Sequence, residues 1–181
     1  MINFNHGVIL APIIRKQLGQ LLMWRNDRRI WQWCRQHSVI SEAHHEAWFN
    51  SLGTRKDVRM FSVLDNEGNH VGVCGLTDID ETNRRAEFSL YVGPEHQGKG
   101  LGKAALKTLV DHAFHQLNYV KVWGETFDDN PAAKMFESIG FKVEGVRRAH
   151  YFRDGRYIDC TLYSLMRGEE AWRSQPSQSQ E

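Results

Sequence analysis

Residues 93–106, GPEHQGKGLGKAAL, carry the spacing of a triphosphate-binding loop: Gly93, four residues, then Gly98 and Lys99. Such a loop needs Ser or Thr directly after the lysine, because that hydroxyl ligates magnesium, and here the position is Gly100. The dinucleotide fingerprint fails as well, since Gly98, Gly100 and Gly102 alternate one by one. What survives is an anion site. A strand ends at Val92, glycines let the backbone approach a ligand closely, and a helix opens with unpartnered N–H groups. Three alternating glycines are more than a tight strand-to-helix connection requires.

Glu87 is the second candidate. It sits on an alternating strand, Ala86 to Val92, in which Phe88, Leu90 and Val92 share one face and Glu87, Ser89 and Tyr91 the other. It is either a working carboxylate or an exposed one paired with Arg84 or Arg85. The third is Arg25. Extending the stripe of Leu18, Leu21 and Leu22 by one turn brings a guanidinium to the middle of an otherwise apolar helix face. A buried arginine needs a partner, either a structural ion pair or an anionic ligand. His44 and His45 point to different helix sides without a third ligand, so no metal is expected. Cys34, Cys74 and Cys160 are odd in number and lack metal or disulfide spacing, as reduced cytoplasmic thiols would.

The elements that must position these residues follow from periodicity. A short apolar run from Gly7 to Ile14 precedes one helix from Arg15 to about Trp33, and Ser41 N-caps a second helix that ends at Leu52 before Gly53. Val58 to Leu64 and His70 to Asp80 form a hairpin about DNEGN. The helix from Gly102 to Leu117 buries Leu106, Leu109, Val110, Ala113 and Leu117. A strand at Tyr119 to Phe127, a short helix at Pro131 to Ile139 and a hairpin about RDGR, from Phe141 to Met166, complete the set. The result is an α+β (α/β) domain around one mixed sheet. Residues 1–173 are expected to be that domain and 174–181, serine- and glutamine-rich, a disordered tail.

The chain has 181 residues, 23 Lys plus Arg against 22 Asp plus Glu, and a formal net charge of +1. That balance gives no field for nucleic acid or an anionic membrane, and no apolar run approaches the ~18 residues of a membrane span. A small-molecule partner and a cytoplasmic location are expected.

At the glycine loop the chain resembles the GNAT N-acetyltransferases, whose acetyl-CoA loop reads Q/R-x-x-G-x-G/A; Gln97, Gly100 and Gly102 fill it. A second block, DNPAAKMFESIGF, resembles the family's N-x-x-A and GF segment. The final stretch, EGVRRAHYFRDGRYIDCTLYSLM, is similar to the branch of ribosomal-protein and polyamine acetyltransferases. The resemblance implies a mostly antiparallel GNAT-like sheet and acetyl-CoA as co-substrate. Its pyrophosphate would lie on Gln97, Gly98, Lys99, Gly100, Leu101 and Gly102, its pantetheine along the backbone of Leu90, Tyr91 and Val92, with Asn130 as a further contact. It implies Glu87 as the base that takes a proton from the acceptor amine, directly or through water. One departure stands out. The tyrosine that usually protonates the leaving thiolate is Phe136 here, and a phenyl ring donates no proton; Tyr151 and Tyr157 are the conceivable substitutes.

The acceptor half resembles acetyltransferases of pseudaminic-acid type in its WRN and I-S…H-x-x-W pattern. That implies Trp24, Arg25, Asn26, His45 and Trp48 as acceptor contacts, and a nucleotide-linked amino sugar as the first expectation. Trp24, Trp31, Trp33 and Trp48 either stack on such a ligand or pack in the core. Three outcomes therefore remain: an amino-sugar N-acetyltransferase, a protein N-terminal or polyamine acetyltransferase, and a coenzyme A-binding module with little catalysis. A homodimer paired through the C-terminal hairpin is a further expectation.

Overall fold

A computed structural model describes residues 1–36 and 38–173; the tail expected at 174–181 lies outside them. Seven strands form one sheet: β1 (Val8–Pro12), β2 (Arg59–Asp65), β3 (His70–Asp80), β4 (Arg85–Val92), β5 (Lys121–Phe127), β6 (Lys142–Arg153) and β7 (Arg156–Met166). Their order is β1-β2-β3-β4-β5-β7-β6, and every neighbour pair is antiparallel except β4 with β5. The expected mixed, mostly antiparallel α+β architecture is what forms.

Helices cover both faces. On one lie α1 (Leu18–Asn26), α2 (Arg28–Trp31) and α3 (Glu42–Ser51), whose Leu21, Trp24 and Ile30 pack with Val73 of the sheet and approach Tyr91. On the other lie α4 (Leu101–Asp111) and α5 (Ala132–Ile139). Leu106, Leu109, Val110 and Ala113 of that layer are fully buried, as their spacing predicts. Leu117 is only half-buried, because the helix widens into a π turn over His112–Gln116 before it. Among the described residues no helix is long and apolar enough to cross a membrane.

The single helix expected from Arg15 to Trp33 is in fact broken. Asp27 adopts an extended backbone (φ −74, ψ 131), and its side chain accepts the Arg29 N–H at 2.8 Å. An N-capping aspartate inside a helical stretch starts a new helix rather than continuing the old one. Ser41 caps α3 as predicted, accepting the His44 N–H at 3.2 Å. At the RDGR turn Asp154 and Gly155 both have positive φ, 48 and 78, the backbone a two-residue hairpin loop demands.

The parallel contact between β4 and β5 is short. Only Arg85, Ala86 and Glu87 pair, with Lys121, Val122 and Trp123; beyond that the strands splay, β4 staying with β3 and β5 with β7. Gly124 stands where they part, and a Cβ there would collide with the Phe88 ring. That ring has little freedom to retreat, being packed against Phe136 (4.9 Å between centroids) and Phe141 (5.2 Å). Gly124→Ala is therefore expected to cost about 1–3 kcal/mol of stability through overpacking. Thermal unfolding reads this as a fall of roughly 2–4 °C per kcal/mol; an unchanged Tm would mean that Phe88 moves aside freely.

Candidate active site

The splay is the inner wall of a cavity of about 1080 Å³ that runs between the two helical layers. On its β4 side Leu90, Tyr91 and Val92 face it, and among the described residues no strand pairs with their edge toward β5. An extended chain carrying amides can add there as a strand would.

Beside them lie Gln97, Gly98, Gly100, Leu101 and Gly102, at the start of α4. Gly98 and Gly100 hold φ of 76 and 77, so the left-handed backbone that glycine favours is used twice within three residues. Ala104 is the first to close a helical turn, its N–H donating to the Gly100 carbonyl at 3.1 Å. The amides of Lys99 to Lys103 have no main-chain acceptor among the described residues, and no side chain caps the helix. Several convergent donors at a helix N-terminus make a cradle for phosphate oxygens.

Two details sharpen the expected set. The Lys99 side chain does not line this cavity; it borders a shallow hollow with Asp65 and Glu67, so only its amide is offered. The Gln97 amide donates to the Val92 carbonyl at 3.2 Å, bracing the loop against β4. Asn130 reaches the cavity, and its Oδ1 accepts the Ala132 N–H at 2.9 Å at the start of α5.

Glu87 faces the α1–α3 side, away from Phe88 and Leu90, as the alternation predicts. It is not the exposed carboxylate of the alternative reading. Only 4 % of it is exposed, and its partners are neither Arg84 nor Arg85. Arg35 Nη2 donates to its Oε2 at 2.8 Å and Thr77 Oγ1 to the same oxygen at 2.9 Å. Oε1 has no hydrogen-bond partner among the described residues, and the residue lines the cavity. A carboxylate with one oxygen held and the other open has the geometry a general base requires.

Behind it stands a second carboxylate, Glu125 of β5. Arg147 Nη1 donates to it at 2.8 Å, Arg35 Nη1 at 3.3 Å, and the Tyr151 hydroxyl also donates to it. Burial pushes the Arg35 guanidinium down, but the hydrogen bond and charge of Glu87, with Glu125, more than offset this and raise it. Burial, then the bond to Glu125, raises the Tyr151 phenol to about 12. Tyr151 thus donates to Glu125, and Tyr157 is 69 % exposed beside Phe152. Neither lines the cavity. Phe136 does line the cavity, with its ring packed on Phe88 and Tyr163.

The acceptor residues divide. Arg25, His45 and Trp48 line the cavity. The Arg25 guanidinium lies 5.8 Å from the Tyr91 ring centre and contacts the Cys34 sulfur, with no carboxylate partner among the described residues. His45 stacks on Trp48 at 5.1 Å, and burial, then the charge of Arg25, lowers its pKa. Trp24 and Asn26 do not line the cavity. Trp24 is core, packed under Gly93, where any Cβ would strike its ring, and its Nε1 donates to Glu95 at 3.0 Å. Asn26 clamps the main chain of Ile40, donating to its carbonyl (2.9 Å) and accepting its N–H (2.8 Å).

Sequence reasoning missed Arg35, Thr77, Glu125 and Arg147. Arg35 lies in an irregular segment between α2 and α3, where no periodicity marks it. Glu125 had a usable signal only once β4 was known to pair with β5. The Glu87–Trp123 register puts residue 125, two further along, on the face of Glu87.

The acetyltransferase (GNAT) domain family profile matches residues 8–142. The spermidine N(1)-acetyltransferase of Vibrio cholerae is 28% identical over 172 residues, 94% of this chain and 99% of that protein. A crystal structure of spermidine N-acetyltransferase from Vibrio cholerae in complex with CoA and spermine superposes with a TM-score of 0.86 at 28% identity, covering 92% of this chain and 99% of that one. The L-methionine sulfoximine/L-methionine sulfone acetyltransferase of Salmonella typhimurium is 31% identical over 173 residues, 93% of this chain and 87% of that protein.

Proposed function

This chain belongs to the GNAT acetyltransferase family, and from that premise we propose that it transfers the acetyl group of acetyl-CoA to a primary amine of a polyamine. The observation that carries the catalytic half is Glu87: buried, held at Oε2, open at Oε1, on the lip of the β4–β5 splay. The acceptor class rests on the spermidine enzymes this chain is similar to. The nucleotide-linked amino sugar expected first finds no support in those relatives, and the polyamine alternative replaces it.

In this reading the Lys99–Lys103 amides hold the pyrophosphate and the free edge of β4 pairs with the pantetheine amides. The thioester then lies beside Glu87. Glu87 Oε1 takes a proton from the acceptor ammonium, directly or through one water, and the freed amine attacks the carbonyl carbon. A C–N bond forms, the C–S bond breaks, and the departing thiolate takes a proton. With phenylalanine at position 136, that proton comes from water in the open cavity or from the ammonium's second N–H. Per turnover the ammonium gives up two protons, one of which ends on the coenzyme A thiol.

A second acceptor class has its own observation. Arg25 lines the cavity without a carboxylate partner among the described residues, which suits an acceptor that carries an anion beside its amine, as an amino acid does. Thiol release from acetyl-CoA, measured with spermidine, L-methionine sulfoximine, a UDP-amino sugar and an N-terminal peptide, separates the readings. Turnover is expected with spermidine. Turnover confined to the amino acid would transfer the assignment to the second class, and acetyl-CoA binding without turnover on any amine would leave a coenzyme-binding module.

A further inference from the structure

Glu87 and Glu125 stand on the two strands that part at the splay, and one side chain joins them. Arg35 donates Nη2 to Glu87 and Nη1 to Glu125, so its guanidinium spans the gap just where β4 and β5 lose their main-chain pairing. Arg35 itself is weakly anchored. It comes from an irregular segment and its side chain is 49 % exposed, so a single contact would leave its long chain most of its rotamers.

Glu125 is the opposite. Its side chain is 2 % exposed, and besides Arg35 it takes Arg147 and the Tyr151 hydroxyl from β6, with Cys160 of β7 close by. These contacts occupy its two oxygens. With both oxygens engaged it is a fixed post on the cavity wall. The charges balance, Arg35 and Arg147 against Glu87 and Glu125. The two carboxylates are buried and the two guanidinium groups half-exposed; desolvating the carboxylates is costly, so the cluster is weak evidence of a stabilising role. A planar fork spanning two carboxylates does, however, fix orientation in a way a point charge does not.

We infer that Glu125 is a positioning residue for the catalytic carboxylate: it holds the Arg35 fork, which holds Glu87 by Oε2 and keeps Oε1 turned to the cavity. The inference rests on Glu87 being the base. Loss of either Glu125 or Arg35 leaves Thr77 Oγ1 as the one firm partner of Oε2, so the carboxylate can swing about that single contact, and misplacement on the scale of an ångström costs up to about a hundredfold.

The test is a double-mutant cycle with Glu125→Ala and Arg35→Ala, reading kcat and the KM for acetyl-CoA on the full chain, with Glu87→Gln run beside it. Each single variant is expected to lower kcat by about tenfold, to keep the acetyl-CoA KM within about twofold, and to combine without further loss, because both break one chain of contacts. Glu125→Gln, which keeps the shape, serves if the alanine variant does not fold and is expected to move kcat in the same direction. Losses that multiply, an unchanged kcat in the Glu125 variant, or a loss expressed in the acetyl-CoA KM would overturn the inference. If Glu87→Gln itself keeps full turnover, the assignment of the base fails instead, and the two failures are distinguished.

Discussion

Glu87→Gln is expected to lower kcat by about a hundred- to ten-thousandfold, the range a positioned general base contributes, while acetyl-CoA binds within about twofold of wild type. The substitution is nearly isosteric, and its amide oxygen can still accept from Arg35 or Thr77, which donate to the native Oε2 at 2.8 and 2.9 Å. Arg35 also keeps its second carboxylate, Glu125, so the gap between β4 and β5 stays bridged. What disappears is the anion facing the cavity. Without it the acceptor stays an ammonium, which has no lone pair with which to attack a thioester. The phosphate cradle lies on α4 and touches none of these groups, so binding is spared. Steady-state thiol release together with direct acetyl-CoA titration checks both halves; equal turnover would remove Glu87 as the base, and a parallel loss of affinity would recast it as a structural residue.

The proposed cofactor half of this site is partly legible in the sequence because it is local. A strand, a glycine loop and a helix follow each other in the chain, so spacing alone marks an anion site about Gly98, Gly100 and Gly102; Gln97 and the Leu90–Val92 edge enter only through the resemblance to the GNAT family. The acceptor half is assembled from a distance. Glu87, Arg35 and Glu125 come from three elements up to 90 residues apart, and nothing in periodicity says that β4 will lie beside β5 for three residues and then leave it. The same reason explains the tryptophans. Trp24 and Trp48 read alike as aromatic residues on amphipathic helices, yet Gly93 takes Trp24 into the core and the cavity takes Trp48. Asn26 and Asp27 were readable as helix-ending residues: one clamps Ile40 and the other caps a new helix, and a continuous helix through them overlooks their competition for backbone hydrogen bonds.

Gly100→Asp is expected to weaken acetyl-CoA binding by about a hundredfold with little change in folding. At φ 77 most side chains are strained, but aspartate and asparagine tolerate the left-handed region, and a Cβ at Gly100 would meet nothing within 4 Å. The helix end itself therefore survives. The new carboxylate would stand at the mouth of the Lys99–Lys103 amides, where the pyrophosphate is to sit. Two like charges about 4 Å apart repel by about 4 kcal/mol at an effective dielectric near 20, and salt reduces this to about 2–3 kcal/mol at an open loop. Gly100→Asn has the same shape without the charge and separates the two causes: it is expected to lose no more than about tenfold, all of it steric. The gap between the two variants should also narrow as salt rises, since only repulsion is screened. Calorimetric titration of acetyl-CoA into both proteins decides it. Equal affinities would place the pyrophosphate away from Gly100 and leave the left-handed glycines as a device for turning the chain from β4 into α4.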